Sequence, residues 1–93
     1  MIKSISIVYP IFNEEKRLAK TIRDIERFDK SNTSMKKEYI LVNDGSVDST
    51  LSFIKNKLGQ NKKIKLLSYS KNRGKGYALK QGVRQAKYQW VLT

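Results

Sequence analysis

Tyr39-Ile40-Leu41-Val42-Asn43-Asp44-Gly45-Ser46 sets four apolar residues directly before a turn of small polar ones. A short apolar run bounded by turn signals reads as a buried strand. Asp44-Gly45 alone would also suit a two-residue hairpin between antiparallel strands. The residues that follow argue against the hairpin: Leu51, Ile54 and Leu58 recur at helical spacing, with Ser46 or Asp48 to cap the helix and Gly59 to end it. A strand that turns into a helix is the repeating unit of a parallel sheet.

The pattern repeats on either side. Ile5, Ile7 and Val8 form a strand closed by Pro10, which is expected to stop ladder pairing. Leu18, Ile22, Ile25 and Phe28 then mark an amphipathic helix from about Glu14 to Phe28, with Asn13 as its N-cap and Glu14 and Glu15 at the positive end of its dipole. Asp29 to Lys37 reads as a polar loop. Beyond the second helix, Ile64, Leu66, Leu67 and Tyr69 make a third strand and Ser70 to Gly76 a glycine-containing loop. Ala78, Leu79, Val83 and Ala86 give a third helix, and Trp90-Val91-Leu92 begins a fourth strand.

The order is therefore β-α-β-α-β-α-β, an α/β chain with a parallel sheet covered by helices on both faces. Such sheets bind ligands beyond the carboxyl ends of their strands. Those ends carry Pro10 to Glu14, Asn43 to Ser46, and Ser70 to Gly76, so three loops distant in sequence are expected to meet at one rim.

Composition narrows the chemistry. The 93 residues contain neither cysteine nor histidine, which removes disulfides, thiolate metal sites, imidazole bases and histidine-ligated zinc. The formal charge is +12, and all eight acids lie at or before Asp48. The second half is basic throughout, a field that attracts phosphates or other anions but also the ordinary look of a lysine-rich surface. No apolar run is long enough to span a membrane, and no signal-peptide core precedes Ile5. The expected compartment is the cytoplasm or the cytoplasmic face of a membrane.

Three blocks carry a resemblance. They are Tyr9-Pro10-Ile11-Phe12-Asn13-Glu14-Glu15, then Val42-Asn43-Asp44-Gly45-Ser46-Val47-Asp48-Ser49-Thr50, then Lys71-Asn72-Arg73-Gly74-Lys75-Gly76-Tyr77-Ala78-Leu79. In order and spacing they resemble the P-x-[YF]-N-E, D-D-G-S-x-D-x-T and N-x-G-x-G-x-A blocks of family 2 glycosyltransferases. Within that family the first and third blocks look most like enzymes that glucosylate dolichyl phosphate, with dolichyl-phosphate mannose synthases close behind. The resemblance implies a Rossmann-like GT-A fold that transfers a sugar from a UDP- or GDP-sugar to an acceptor, here a polyprenyl or dolichyl phosphate.

The same resemblance implies roles for residues. Pro10, Phe12 and Glu14 would line the nucleoside pocket, Asp44 would accept a hydrogen bond from the base, and Arg73 and Lys75 would lie near base and diphosphate. Asn13, Gly45, Ser46, Gly74 and Gly76 would shape the supporting turns. A D-x-D motif in the family follows a strand like Trp90 to Thr93 and holds a divalent metal, Mg or Mn. The metal ligands are thus expected beyond Thr93, with no catalytic residue in this stretch. The sequence departs from the family in one block, where Asn43 stands at the first of two acidic positions.

The chemistry of the residues agrees with these roles. An ionised Asp is a pure acceptor and can take a ring N–H of uracil or guanine. Guanidinium and ammonium groups suit a diphosphate. Gly74 and Gly76 let the backbone approach a bulky ligand at the start of a helix. The third block is neither a P-loop, whose spacing differs, nor a dinucleotide fingerprint, which follows a first strand. Taken singly, Asp48 suits a helix cap, Glu14 a helix dipole, Phe12 a core position, and Arg73 and Lys75 a solvated surface. Two other readings compete: a basic module for RNA or acidic membrane, whose binding would fall steeply with salt, and an inactive truncated product. No RRM, KH or zinc-knuckle signature favours nucleic acid.

Overall fold

A computed structural model describes residues 3–46, 50–58 and 61–93. Its elements run β1 (Ser4–Ile11), α1 (Glu15–Ser31), β2 (Lys36–Asp44), α2 (Thr50–Leu58), β3 (Ile64–Tyr69), α3 (Lys75–Gln85) and β4 (Trp90–Leu92). All strand pairs are parallel, in the order β3-β2-β1-β4. The chain therefore winds outward from β1 to β3 and then crosses to β1's other side. That reversal makes β1 the switch point beside which parallel sheets bind ligands.

Alternation along the strands sorts the core into two layers. Ile5, Ile7 and Ile11 of β1 and Tyr39 and Leu41 of β2 face Leu18, Ile22 and Ile25 of α1 and Ile54 of α2. Val8, Ile40 and Val42 point to the other face and meet Ala78 of α3. Each large aliphatic side chain buried in this way contributes roughly 2 kcal/mol. The α3 layer is thin because Gly82 lies on the sheet: a Cβ there would collide with Val8 Cγ1 and come within 3.1 Å of Val42 Cγ2.

Several boundaries differ from the sequence reading. Pro10 does not end the ladder, since Pro10 pairs with Val42 and Ile11 with Asn43. β4 pairs with Ile5 to Ile7, so among the described residues no strand on that side of β1 asks Pro10 for a donor. Asp29 to Lys37 is not one loop: α1 runs to Ser31 and β2 starts at Lys36. The buried Lys37 ties the two together, because its ammonium bonds the carbonyl oxygens of Asp29 and of the C-cap Asn32 at the end of α1. Asn43 and Asp44 belong to β2 rather than to the turn. On α3 the buried positions are Ala78 and Gly82, while Val83 is exposed. Asp48 and Gly59, the expected cap and end of the second helix, lie outside the described residues.

Candidate functional site

The three loops meet as the topology requires. Beside β1, where β4 has ended, they border a cleft of about 930 Å³. Tyr9 to Phe12 form its floor, with Glu14, Asp44, Asn72, Gly74 and Lys75 on one side and Leu92 and Thr93 on the other.

Asp44 organises this rim. It ends β2 on the α3 face, and its carboxylate is buried. Oδ1 accepts the Arg73 N–H at 2.8 Å, and Oδ2 accepts the Gly74 N–H at 2.9 Å and Asn72 Nδ2 at 2.8 Å. Burial works to raise the Asp44 pKa, but the neighbouring Tyr69 hydroxyl and the Arg73 and Gly74 amides outweigh it and hold the carboxyl below its usual range. The Tyr69 hydroxyl is itself buried without a partner in full hydrogen-bond geometry among the described residues. With the Tyr69 hydroxyl beside them, the three bound donors take up most of the roughly four acceptor sites of a carboxylate.

Gly45 makes this approach possible. Its φ is +68°, and a Cβ on it would run into the backbone of Lys71 and Asn72. Gly74 also needs a left-handed backbone, with φ +97°, as it turns the chain into α3.

The first loop is held by hydroxyls from the second. Asn13 is not the N-cap: it takes a positive φ of 49°, and Glu14 occupies the cap position without a side-chain capping bond of its own. The Asn13 N–H donates to Ser46 Oγ and the Glu14 N–H to Thr50 Oγ1, each at 3.0 Å. Ser46 thus secures the first loop. Phe12, just before this turn, leaves its ring 45% exposed at the mouth of the cleft.

Of the residues named from sequence, Pro10, Phe12, Glu14, Asp44, Gly74 and Lys75 line the cleft. Asn13, Gly45 and Ser46 stand behind it as supports. Arg73 is divided: its amide holds Asp44, while its guanidinium lies 5.6 Å from the Tyr77 ring centroid, outside the lining. Gly76 faces open space in the first turn of α3. Asn43 points to the opposite face of the sheet, where Nδ2 donates to Ser68 Oγ at 3.2 Å. Asn43 is not among the residues that line the cleft. The sequence reading missed Asn72, whose only signal was its place in the third block, and Leu92 and Thr93, which β4 brings to the rim.

No group of three or more Asp or Glu residues among the described residues could hold a metal ion. Asp44 is engaged by protein donors, and Glu14 is the other carboxylate of the cleft. These residues do not make a metal site.

The profile of glycosyl transferase family 2 matches residues 6–93. The chain belongs to that family. Among its family 2 relatives is a dolichyl-phosphate beta-glucosyltransferase of Trichomonas vaginalis, 34% identical over 91 residues, covering 94% of this chain and 27% of the relative. A poly-beta-1,6-N-acetyl-D-glucosamine synthase of Staphylococcus aureus is 32% identical over 91 residues, covering 98% of this chain and 21% of the relative. The chain thus spans about a quarter of the length of the curated relatives it matches. Among solved structures, S. aureus TarS in complex with UDP-GlcNAc superposes with a TM-score of 0.77 at 27% identity, over 98% of this chain and 25% of that one. The fold also matches a mannosyltransferase of Pyrobaculum calidifontis in complex with GDP-Man and Mn2+, with a TM-score of 0.74 at 24% identity, over 91% of this chain and 24% of that one. The four-stranded parallel sheet is of the GT-A type.

Proposed function

We propose that the cleft beside β1 binds the nucleotide of a sugar donor, and that this chain is the donor-binding part of a sugar transferase. The single observation that carries this is the convergence of the three family blocks on one cleft, with Phe12 and Lys75 both open to solvent there. Phe12 offers an aromatic face to a base, Asp44 a carboxylate acceptor to a ring N–H, and Lys75 a cation to the diphosphate. The similar structure of TarS solved with UDP-GlcNAc supports a nucleoside diphosphate sugar as the ligand, and a mannosyltransferase of the same fold was solved with GDP-Man.

The finer reading is a polyprenyl-phosphate acceptor, supported by similarity to dolichyl-phosphate glucosyltransferases. A lipid phosphate brings an oxygen that is already anionic, which suits a chain without histidine. Transfer would take place at the cytoplasmic face of a membrane, although no helix among the described residues is long and apolar enough to cross one. A divalent metal on the diphosphate would be held by residues outside this stretch; a relative's complex with Mn2+ supports that expectation.

Calorimetric titration with UDP and GDP tests the core of the reading. One nucleotide should bind in preference to the other and to inorganic pyrophosphate. Lys75→Ala should weaken it about tenfold, and Asp44→Ala should weaken it at least as much. Binding that ignores the base and falls linearly with salt on logarithmic axes would instead favour the basic-module reading.

A further inference from the structure

Two polar side chains are fully buried in the central strands on the face that carries α3. Ser6 is 0% exposed and Glu38 1%, and they stand opposite each other in the β1–β2 register. Ser6 Oγ donates to Glu38 Oε2 at 2.6 Å. A carboxylate among apolar strands is costly unless every element around it supplies a partner. Lys65 supplies an ion pair, with Nζ 3.2 Å from Oε1, though the geometry falls short of a hydrogen bond.

The remaining partners come from one place, the connection between α3 and β4. The Lys87 N–H donates to Glu38 Oε2 at 2.8 Å. The Tyr88 N–H donates to Ser6 Oγ at 3.2 Å, and the Gln89 N–H to Ser4 Oγ at 3.1 Å. Three successive backbone amides are thus gripped by side chains of β1 and β2. The Ser6 hydroxyl suits this relay because it donates one hydrogen bond and accepts others.

Among the described residues, β4 has little else to seat it. It pairs with β1 over three residues only, at the edge of the sheet. Trp90, Val91 and Leu92 are 53%, 41% and 53% exposed, so apolar burial does not fix its place. Yet Leu92 and Thr93 form one wall of the cleft.

We propose that Ser6 and Glu38 are positioning residues that seat β4 and, through it, the Leu92–Thr93 wall of the cleft; its effect on ligand affinity rests on the donor-site reading above. Glu38 does not line the cleft and acts on it through the Lys87–Gln89 connection.

Amide hydrogen exchange by NMR on the full chain, paired with titration of UDP-N-acetylglucosamine and GDP-mannose, tests this. In Glu38→Ala the amides of Lys87 to Gln89 and of β4 should exchange about tenfold faster or more. The Arg73 and Gly74 amides, held by Asp44, should keep their rates. Glu38→Gln keeps an acceptor oxygen and should restore most of the protection. Affinity for the bound nucleotide sugar should fall about tenfold in Glu38→Ala and recover in Glu38→Gln. If Glu38→Ala fails to fold, Ser6→Ala removes only the Tyr88 contact and one bond to Glu38, and should give the same local pattern. Acceleration spread evenly over the sheet, or unchanged affinity despite a loosened β4, would overturn the proposal. Local loosening in a protein that binds neither nucleotide sugar would sink the donor-site reading and leave the seating of β4 standing.

Discussion

Asn72 is bound to Asp44 twice: its Nδ2 donates to Oδ2 at 2.8 Å and to the main-chain carbonyl at 3.0 Å. Together with the Arg73 and Gly74 amides, this makes Asp44 the fastener of the third loop as well as a wall of the cleft. Asp44→Asn turns one acceptor into a donor that faces other donors. The expected loss is about 3 kcal/mol of unfolding free energy, read by urea denaturation. Unchanged stability in that variant would mean the loop is held by something other than its carboxylate.

Gly82 and Gly76 belong to the same helix and should respond in opposite directions to alanine. At Gly82 the new methyl group meets Val8, and the expected cost is about 1–3 kcal/mol. At Gly76 it meets nothing within 4 Å, so helix propensity should stabilise the chain by up to about 1 kcal/mol. If the backbone at Gly76 approaches the ligand, the same substitution should weaken nucleotide binding. Thermal melts and titrations on both variants separate the two effects.

Lys37 is a buried cation with a defined task. Its ammonium meets the Asp29 carboxylate at 3.2 Å and the α1-terminal carbonyl oxygens of Asp29 and Asn32. Lys37→Met fills the same space but abandons those acceptors. We expect a loss of about 3 kcal/mol, measured by chemical denaturation. A neutral result would show that water enters and replaces the ammonium.

Stability should fall in acid, and the sign follows from three carboxylates. For Asp29 burial acts to raise the pKa, but hydrogen bonds from Lys63, Lys37 and Tyr39 prevail and lower it. Glu38 is likewise raised by burial and lowered overall by Ser6, the Lys87 amide and Lys65. Asp44 behaves in the same way. Groups whose folded pKa is depressed give stability that is present above the unfolded value, about 4, and lost as pH falls through the folded value. Unfolding free energy measured from pH 7 down to pH 2 should stay level to about pH 5 and then decline. A rise on acidification would contradict the pairing of these three groups.

What the sequence revealed and what it hid divide along one line. The block from Val42 to Ser46 could be read because its signals are local: an apolar run, an acid, a glycine. The same holds for Leu18, Ile22 and Ile25, whose spacing declares a buried helix face. The fastening of Asn72 to Asp44 spans 28 residues and that of Lys87 to Glu38 spans 49, and nothing near either residue announces a partner so far away. Pro10 misled for a related reason: a proline breaks a ladder only where a neighbour asks for its N–H, and that depends on where β4 ends. Asn13 looked like a cap because it stands before a helix, but the hydroxyls of Ser46 and Thr50 had already taken hold of that turn.

The strand order β3-β2-β1-β4 has a consequence for synthesis. β1 is made before the three other strands of this sheet, and it gains its second neighbour only when Trp90 to Leu92 emerges. While the residues from β2 to α3 are made, one edge of β1 stands bare as β2 and β3 assemble on the other. Contacts that close so long a stretch of chain form late and slowly. A nascent chain halted in α3 would therefore expose an apolar strand edge able to pair with a second copy, and β4 acts in part as the safeguard that covers this edge of β1.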